Sequence, residues 1–199
     1  MTQFAVVPLT FSTVIAEYES AVDDLSGIHK KKGGGKSRSS SGIIFENVVT
    51  KTCQILGMEA KKNDYKRSEF IDGLHLPKKQ VDAHIYVNGI LKKMVECKTY
   101  LDSCYLDRAM SDLKKLVNSP DVPDDVEFAI FAGQNGCDDN TLAYCKAEFK
   151  RDTGKILNTF FINPQYKRDS KRPIYNPDYR SHFYLDVVEY NKFVEWVQK

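Results

Sequence analysis

VDAHIYVNGILKKMVECK, from Val81 to Lys98, reads as two strands joined at Asn88-Gly89. Asn-Gly is a strong hairpin signal, because both residues tolerate the positive φ that a tight two-residue turn demands. In the first strand Val81, Ala83, Ile85 and Val87 share one face, and Asp82, His84 and Tyr86 share the other. In the second, Met94, Glu96 and Lys98 lie opposite Val95 and Cys97. Alternation thus separates an apolar side from a side that carries every ionisable candidate.

Whether those candidates meet depends on register. Directly opposed residues of an antiparallel pair point to the same face. A plain two-residue loop sets Asp82 opposite Val95, which puts Asp82 and Glu96 on opposite faces. They can meet only if an odd residue enters, through a three-residue connection or a β-bulge. In that register Asp82 and Glu96 can each offer a carboxylate oxygen to Mg²⁺, with the Cys97 backbone carbonyl as a third candidate ligand. Mg²⁺ prefers oxygen donors and keeps several waters, one of which can serve as a nucleophile. Lys98 would orient that water, help it to lose a proton and offset charge in the transition state of phosphodiester hydrolysis. The same residues also suit a surface hairpin with a Glu–Lys pair worth at most about 1 kcal/mol. The D-x13-E-x-K spacing alone does not decide between them.

Outward from the hairpin, the remaining elements follow from periodicity. Phe11, Val14, Ile15, Tyr18 and Val22 predict a helix over 9–25, and Ile44, Phe45, Val48, Val49, Thr52, Ile55 and Leu56 predict another over 43–56. Between them, Ser26–Gly42 is so rich in Gly, Ser and Lys that it predicts a mobile basic loop. A weak strand is expected near 58–62, an amphipathic helix over 106–117, and a doubly buried strand over Val126–Ala132. A helix over 140–151, a strand over 156–162 and a C-terminal helix over 187–198 complete a single domain spanning 1–199. The order implies an α/β fold of mixed α+β character, with a central mixed sheet flanked by helices.

Composition narrows the class. With 199 residues, 42% hydrophobic and 28% charged, the chain can bury a real core and is neither disordered nor membranous. Its N-terminus makes a poor signal peptide. Five cysteines without CxxC spacing argue against a disulfide framework or a zinc site and fit reduced thiols in a cytoplasm. Net charge is only +2, yet basic residues cluster. Lys30, Lys31, Lys32, Lys36 and Arg38 lie in one stretch. Lys167, Arg168, Lys171, Arg172 and Arg180 interleave with Tyr166, Tyr175 and Tyr179 in a second, at about 164–181. Such stretches suit either a polyanion footprint or solvated loops. Lys61–Arg67 (KKNDYKR) is a further candidate for phosphate contact.

SRSSSGIIFENVV, taken with VDAHIYV…VECK, resembles the PD-(D/E)XK nuclease superfamily, and within it the type II restriction endonucleases. The resemblance rests on a Lys/Ser-rich turn, Lys36-Ser37-Arg38-Ser39-Ser40-Ser41-Gly42, followed by the Phe45-Glu46 pair on a helix, and covers about Lys36 to Tyr100. Val81 stands where the motif's proline would precede Asp82. The resemblance implies a restriction-endonuclease-like αβββαβ core with Asp82, Glu96 and Lys98 as catalytic residues. It implies Mg²⁺ at Asp82, Glu96 and the Cys97 carbonyl, replaceable by Mn²⁺, and a further role for Glu46, directly through a second ion or through water. It also implies double-stranded DNA as substrate. Lys36, Ser37, Arg38, Ser39 and Ser41 lie beside the expected N-terminus of the second helix, whose free N–H groups suit a phosphate and which Ser41 would equally cap, and Lys167, Arg168, Lys171 and Arg172 are candidates for DNA contact. Hydrolysis would leave 5′-phosphate ends. A homodimer, pairing with a DNA methyltransferase, and a cytoplasmic setting in a prokaryotic cell or from a viral gene belong to the same expectation. Two other readings remain open: a structure-specific or repair nuclease of this fold, such as a junction resolvase or nickase, and a non-catalytic DNA-binding protein.

Overall fold

The structure, a computed structural model, describes residues 9–67, 70–71, 74–75, 78–164, 176 and 180–199, with backbone alone at 9–10, 26–40, 70–71, 75 and 180–181. Its elements are α1 (Leu9–Ile55), β1 (Glu59–Lys61), β2 (Phe70–Ile71), β3 (Leu74–His75), β4 (Ala83–Val87), β5 (Ile90–Leu101), α2 (Ser103–Val117), β6 (Glu127–Asn135), α3 (Asp139–Thr153), β7 (Leu157–Phe161), a 3-10 turn (Arg180–Phe183) and α4 (Val187–Gln198). Five strands form one mixed sheet in the order β1-β4-β5-β6-β7. β1, β4 and β5 pair antiparallel, while β5, β6 and β7 run parallel. The expected α/β architecture, a mixed sheet flanked by helices, is present. β2 and β3, each of two residues, pair among the described residues with each other and gave no signal in the sequence.

The sheet is covered on both faces, which is why Phe128–Ala132 of β6 reads as an unbroken apolar run. One face packs on α1 and α4 through Phe11, Tyr18, Phe45, Val49, Ala83, Val95, Phe131, Phe193 and Trp196. The other packs on α2 and α3 through Met94, Leu106, Met110, Leu113, Phe128, Ile130 and Phe149. In α2, buried Leu106, Ala109, Met110, Leu113 and Leu116 recur at helical spacing. Its start is set by Asp102, whose side chain accepts from the Tyr105 amide at 3.0 Å. Asp138 caps α3 in the same way, Gly154 ends it in the left-handed conformation, and Asp186 caps α4.

The N-terminal region corrects one expectation. Helical backbone runs throughout Leu9–Ile55, including the 26–42 span that the sequence predicts as a loop. It cannot be a straight rod. Tyr18 and Phe45, 27 residues apart, bring their ring centroids to 5.6 Å, whereas a straight helix would separate them by about 40 Å. Lys51 also pairs with Glu17. The element therefore doubles back between Leu25 and Ser41, and its two apolar stripes pack into the same core. The reversal lets both stripes bury in one core, and Gly33 to Gly35, which tolerate backbone conformations closed to other residues, lie within the span that makes it.

Two ties fix the C-terminal region to the sheet. Buried Lys93 donates to Glu127 at 2.8 Å and lies 4.6 Å from the centroid of the Trp196 ring, and Trp196 Nε1 donates to the same carboxylate at 2.7 Å. Asn163 Nδ2 donates to the carbonyls of His182 and Tyr184 at 2.8 and 2.9 Å. Among the described residues, no helix is long and apolar enough to cross a membrane.

Candidate active site

The β4–β5 turn is a plain two-residue loop. Asn88 and Gly89 have φ of 51° and 77°, as a primed hairpin turn requires. Val87 pairs with Ile90 and Tyr86 with Leu91, but Ile85 then pairs with Lys93, His84 with Met94 and Ala83 with Val95. Lys92 is the extra residue of a β-bulge. One step further along this register, Asp82 comes level with Glu96. The bulge supplies the odd residue that the loop does not.

The consequence is a compact cluster. The Cys97 amide donates to Asp82 Oδ2 at 2.7 Å, fixing that carboxylate against β5. Lys98 Nζ donates to Glu96 Oε1 and, at 3.1 Å, to the Cys97 carbonyl, and lies 4.0 Å from Asp82 Oδ2. One ammonium is thus within reach of all three oxygens anticipated as cation ligands. The side chains of Asp82, Glu96 and Lys98 keep 30%, 16% and 19% of their surface exposed, so the cluster is recessed but open.

Burial raises the Glu96 carboxyl above the usual glutamate range, and repulsion from Asp82 adds to this against the opposing pull of Lys98. For Lys98, burial acts to lower the ammonium value, but Glu96 and Asp82 together outweigh it and hold the group above an ordinary lysine. Lys98 is therefore a firmly protonated donor at neutral pH. Two carboxylates against one ammonium leave the cluster with net negative charge, and its hard oxygen donors suit a divalent ion such as Mg²⁺. The residues present fit that group. Among the described residues, no cluster of three or more His, Cys, Asp or Glu forms a ready-made cage, so the set is limited to two carboxylates and a carbonyl.

The other anticipated residues are placed less centrally. Glu46 pairs with Lys62 at 3.3 Å rather than with Lys98. It is one of the charges that, after burial and the closer carboxylates, push up the Cys97 thiol. Ser41 is buried, with its hydroxyl accepting from Thr99 Oγ1 at 3.1 Å, which corrects its expected exposure as a phosphate contact. The helix N-terminus that it was expected to cap is absent, because the backbone is already helical there. Lys36, Ser37, Arg38 and Ser39 are described in backbone only, and Lys167, Arg168, Lys171 and Arg172 lie outside the described residues. His84 is fully buried and pushed down to about 4, chiefly by burial, so it is a neutral core residue and not a DNA contact.

KKNDYKR is largely committed to internal pairs. Lys62 Nζ donates to Asn47 at 2.9 Å, and Lys66 Nζ to Tyr86 Oη at 2.9 Å, with Tyr86 in turn donating to Asp64. Arg67 grips Asp121 through both its guanidinium and its backbone amide, and those bonds bring the Asp121 carboxyl down to about 2. The sequence placed Tyr86 on the Asp82 face but could not show Asp64 beside it, because that contact crosses from an irregular segment. A second surprise is the Lys79–Asp112 pair at 2.8 Å, through which α2 brings another negative charge to bear on Glu96. A separate cleft of about 510 Å³ between α2 and α3, lined in part by Met110, Lys114, Glu148 and Asp152, contains none of the anticipated site residues.

No family model and no curated protein matches this sequence. Among solved structures, the cAAA-bound form of NucC from P. aeruginosa ATCC27853 is similar, with a TM-score of 0.47 and 11% identity over 98% of this chain and 100% of that one. At that level of likeness, the functional reading rests on the geometry of the site itself.

Proposed function

We propose that this protein is a divalent-metal-dependent phosphodiester hydrolase acting on double-stranded DNA, and within that class a site-specific endonuclease of the type II restriction kind. The observation that carries this reading is the bulged register, which sets Asp82 level with Glu96 beside Lys98 and the Cys97 carbonyl. A surface hairpin has no need of that arrangement. Charge repulsion and the recessed setting make it costly without a cation.

Asp82, Glu96 and the Cys97 carbonyl would hold Mg²⁺ or Mn²⁺. Bound there, the ion would lower the pKa of water and neutralise phosphate charge. Asp82 is kept in place by the Cys97 amide, so the carboxylate needs little reorganisation on ligand binding. Lys98, held as an ammonium, donates a hydrogen bond that orients the attacking water or a non-bridging phosphate oxygen. As charge builds on the phosphorane-like transition state, that donor strengthens its interaction. In-line attack at phosphorus would expel the 3′ oxygen and leave a 5′-phosphate. A homodimer would present one such centre to each strand of a palindromic site. In a restriction setting, a companion methyltransferase would protect host DNA.

Incubation of purified protein with unmethylated phage DNA and Mg²⁺ tests the reading. Discrete fragments, lost with EDTA and with Lys98→Ala, are expected. Smeared products would favour a repair or nonspecific nuclease of the same chemistry. Binding without cleavage would overturn the enzyme reading.

A further inference from the structure

Beyond Lys98, the face of β5 that carries the cluster continues to Tyr100. Alternate residues on a strand are spaced about 6.5–7 Å apart, comparable to one nucleotide step along a DNA strand. The Tyr100 ring meets Tyr105, in the first turn of α2, edge to face, with centroids 5.2 Å apart and planes at 88°. Tyr105 is 37% exposed, a large aromatic at the surface whose ring contacts Tyr100, two residues along β5 from Lys98. Three residues further along α2, and therefore on the same side of the helix, Arg108 is exposed and has no ion pair or hydrogen bond among the described residues. This sets it apart from Lys62, Lys66, Arg67, Lys79 and Lys114, whose charges are taken up by neighbouring carboxylates. Asp102 is occupied in capping α2 and accepts from the Tyr105 amide, which anchors the aromatic residue at the helix start.

Along β5 and then α2, Lys98, Tyr100, Tyr105 and Arg108 thus present a cation, two aromatic rings in contact and a second cation in turn. Aromatic rings beside a backbone-tracking cation are the pattern that holds an unstacked base, since every base has a π-face and each nucleotide brings a phosphate. A regular duplex would leave no base face free for Tyr105, so this arrangement calls for local unstacking next to the cut.

We infer that Tyr105, braced edge-on by Tyr100, is the platform on which the nucleotide adjacent to the reacting phosphate stacks, with Arg108 contacting the following phosphate. The inference rests on the nuclease reading and adds to it a base held out of the helix beside the scissile bond. Tyr105 and Arg108 act as positioning residues, and the chemistry stays with Asp82, Glu96 and Lys98.

The test is a cycle between protein and DNA, using oligonucleotide duplexes containing the mapped cleavage site. Tyr105→Ala is expected to raise KM by about 5- to 100-fold, the range that one aromatic–base stack provides, and Tyr105→Phe to restore it. Replacing the nucleotide next to the cut by an abasic residue should cost the wild-type protein a similar factor and cost Tyr105→Ala little more. Arg108→Gln should reduce the salt dependence of KM by about one phosphate contact. Wild-type cleavage with additive losses from Tyr105→Ala and the abasic site would overturn the platform while leaving the nuclease reading standing. So would a Tyr105→Ala enzyme within twofold of wild type. If the wild-type protein does not cut DNA at all, both readings fall.

Discussion

The Cys97 amide donates to Asp82 Oδ2 at 2.7 Å, so the first carboxylate of the site is hydrogen-bonded to the strand that carries the second. A backbone N–H that would ordinarily serve a ladder or water instead orients an anion. This contact exists because Lys92 is bulged out of β5 and the register beyond it is displaced by one.

Asp82→Asn isolates the charge from the contact. The amide oxygen can still accept from Cys97, so the fold should survive with a loss of about 1 kcal/mol as a charge-assisted bond becomes neutral. Cleavage is expected to fall by about 10²-fold or more, through the lost cation ligand. Urea denaturation and single-turnover kinetics on the same preparation separate the two effects.

Proton and cation compete at Glu96. Its folded-state pKa is raised, chiefly by burial, so its own contribution to stability is fully present below the unfolded value and is lost as pH rises through the folded one. A cation needing the ionised carboxylate has the opposite dependence. Mg²⁺ at a hundredfold excess over Kd should therefore stabilise the protein by about 2.7 kcal/mol near neutral pH, or about 5–10 °C in Tm, and by much less at acid pH. Thermal scans at pH 5 and pH 8, with and without Mg²⁺, check this. Equal shifts at both would contradict it. Glu96→Gln should abolish the difference.

Deletion of Lys92 straightens the hairpin without changing which residues face each other. Ile85 still meets Lys93 and Ala83 still meets Val95, while Leu91 and Met94 keep the face they now share. The cost is the exposed Lys92–Asp125 pair, worth little. Metal-dependent cleavage should persist at a tenth of the wild-type rate or better. A dead but folded deletion variant would mean that the bulge's added twist, and not only its extra residue, shapes the site.

Gly133 sets how closely α1 approaches β5 and β6. A Cβ there would lie 2.4 Å from the Thr99 carbonyl oxygen and 2.8 Å from the Phe45 ring. Gly133→Ala should cost about 1–3 kcal/mol, the usual range for overpacking a filled interior, read as a lower urea midpoint at unchanged m-value. Since Thr99 adjoins Lys98 on β5, cleavage at sub-denaturing urea should fall as well.

Much of the architecture was readable from periodicity, because the forces behind it are local or nearly so. Leu106 to Val117 spells its helix by apolar spacing, and Phe128–Ala132 spells a doubly buried strand by the lack of polar interruption. The Asn88-Gly89 turn follows from which residues accept positive φ. The helical backbone over 26–42 was not readable, since glycine and serine resist helix formation and only burial of the flanking stripes explains how the chain is held there. β2 and β3 were too short for any pattern. Exposure was the least legible property: Ser41 looked like a surface capping residue, and its burial depends on Thr99, 58 positions away.

The sequence by itself determined the chemistry available at the site: two carboxylates and a lysine on alternating strands, with a face assignment that made their meeting conditional on one extra residue. Only the tertiary structure decided the condition. A bulge at Lys92 and a turn lengthened to three residues give the same face parity, and choosing between them is a matter of how β4 and β5 twist beneath α2 and beside β6. Propensity is a property of neighbours in the chain, whereas register is settled by what each face must pack against, and in this protein the register places Asp82 beside Glu96.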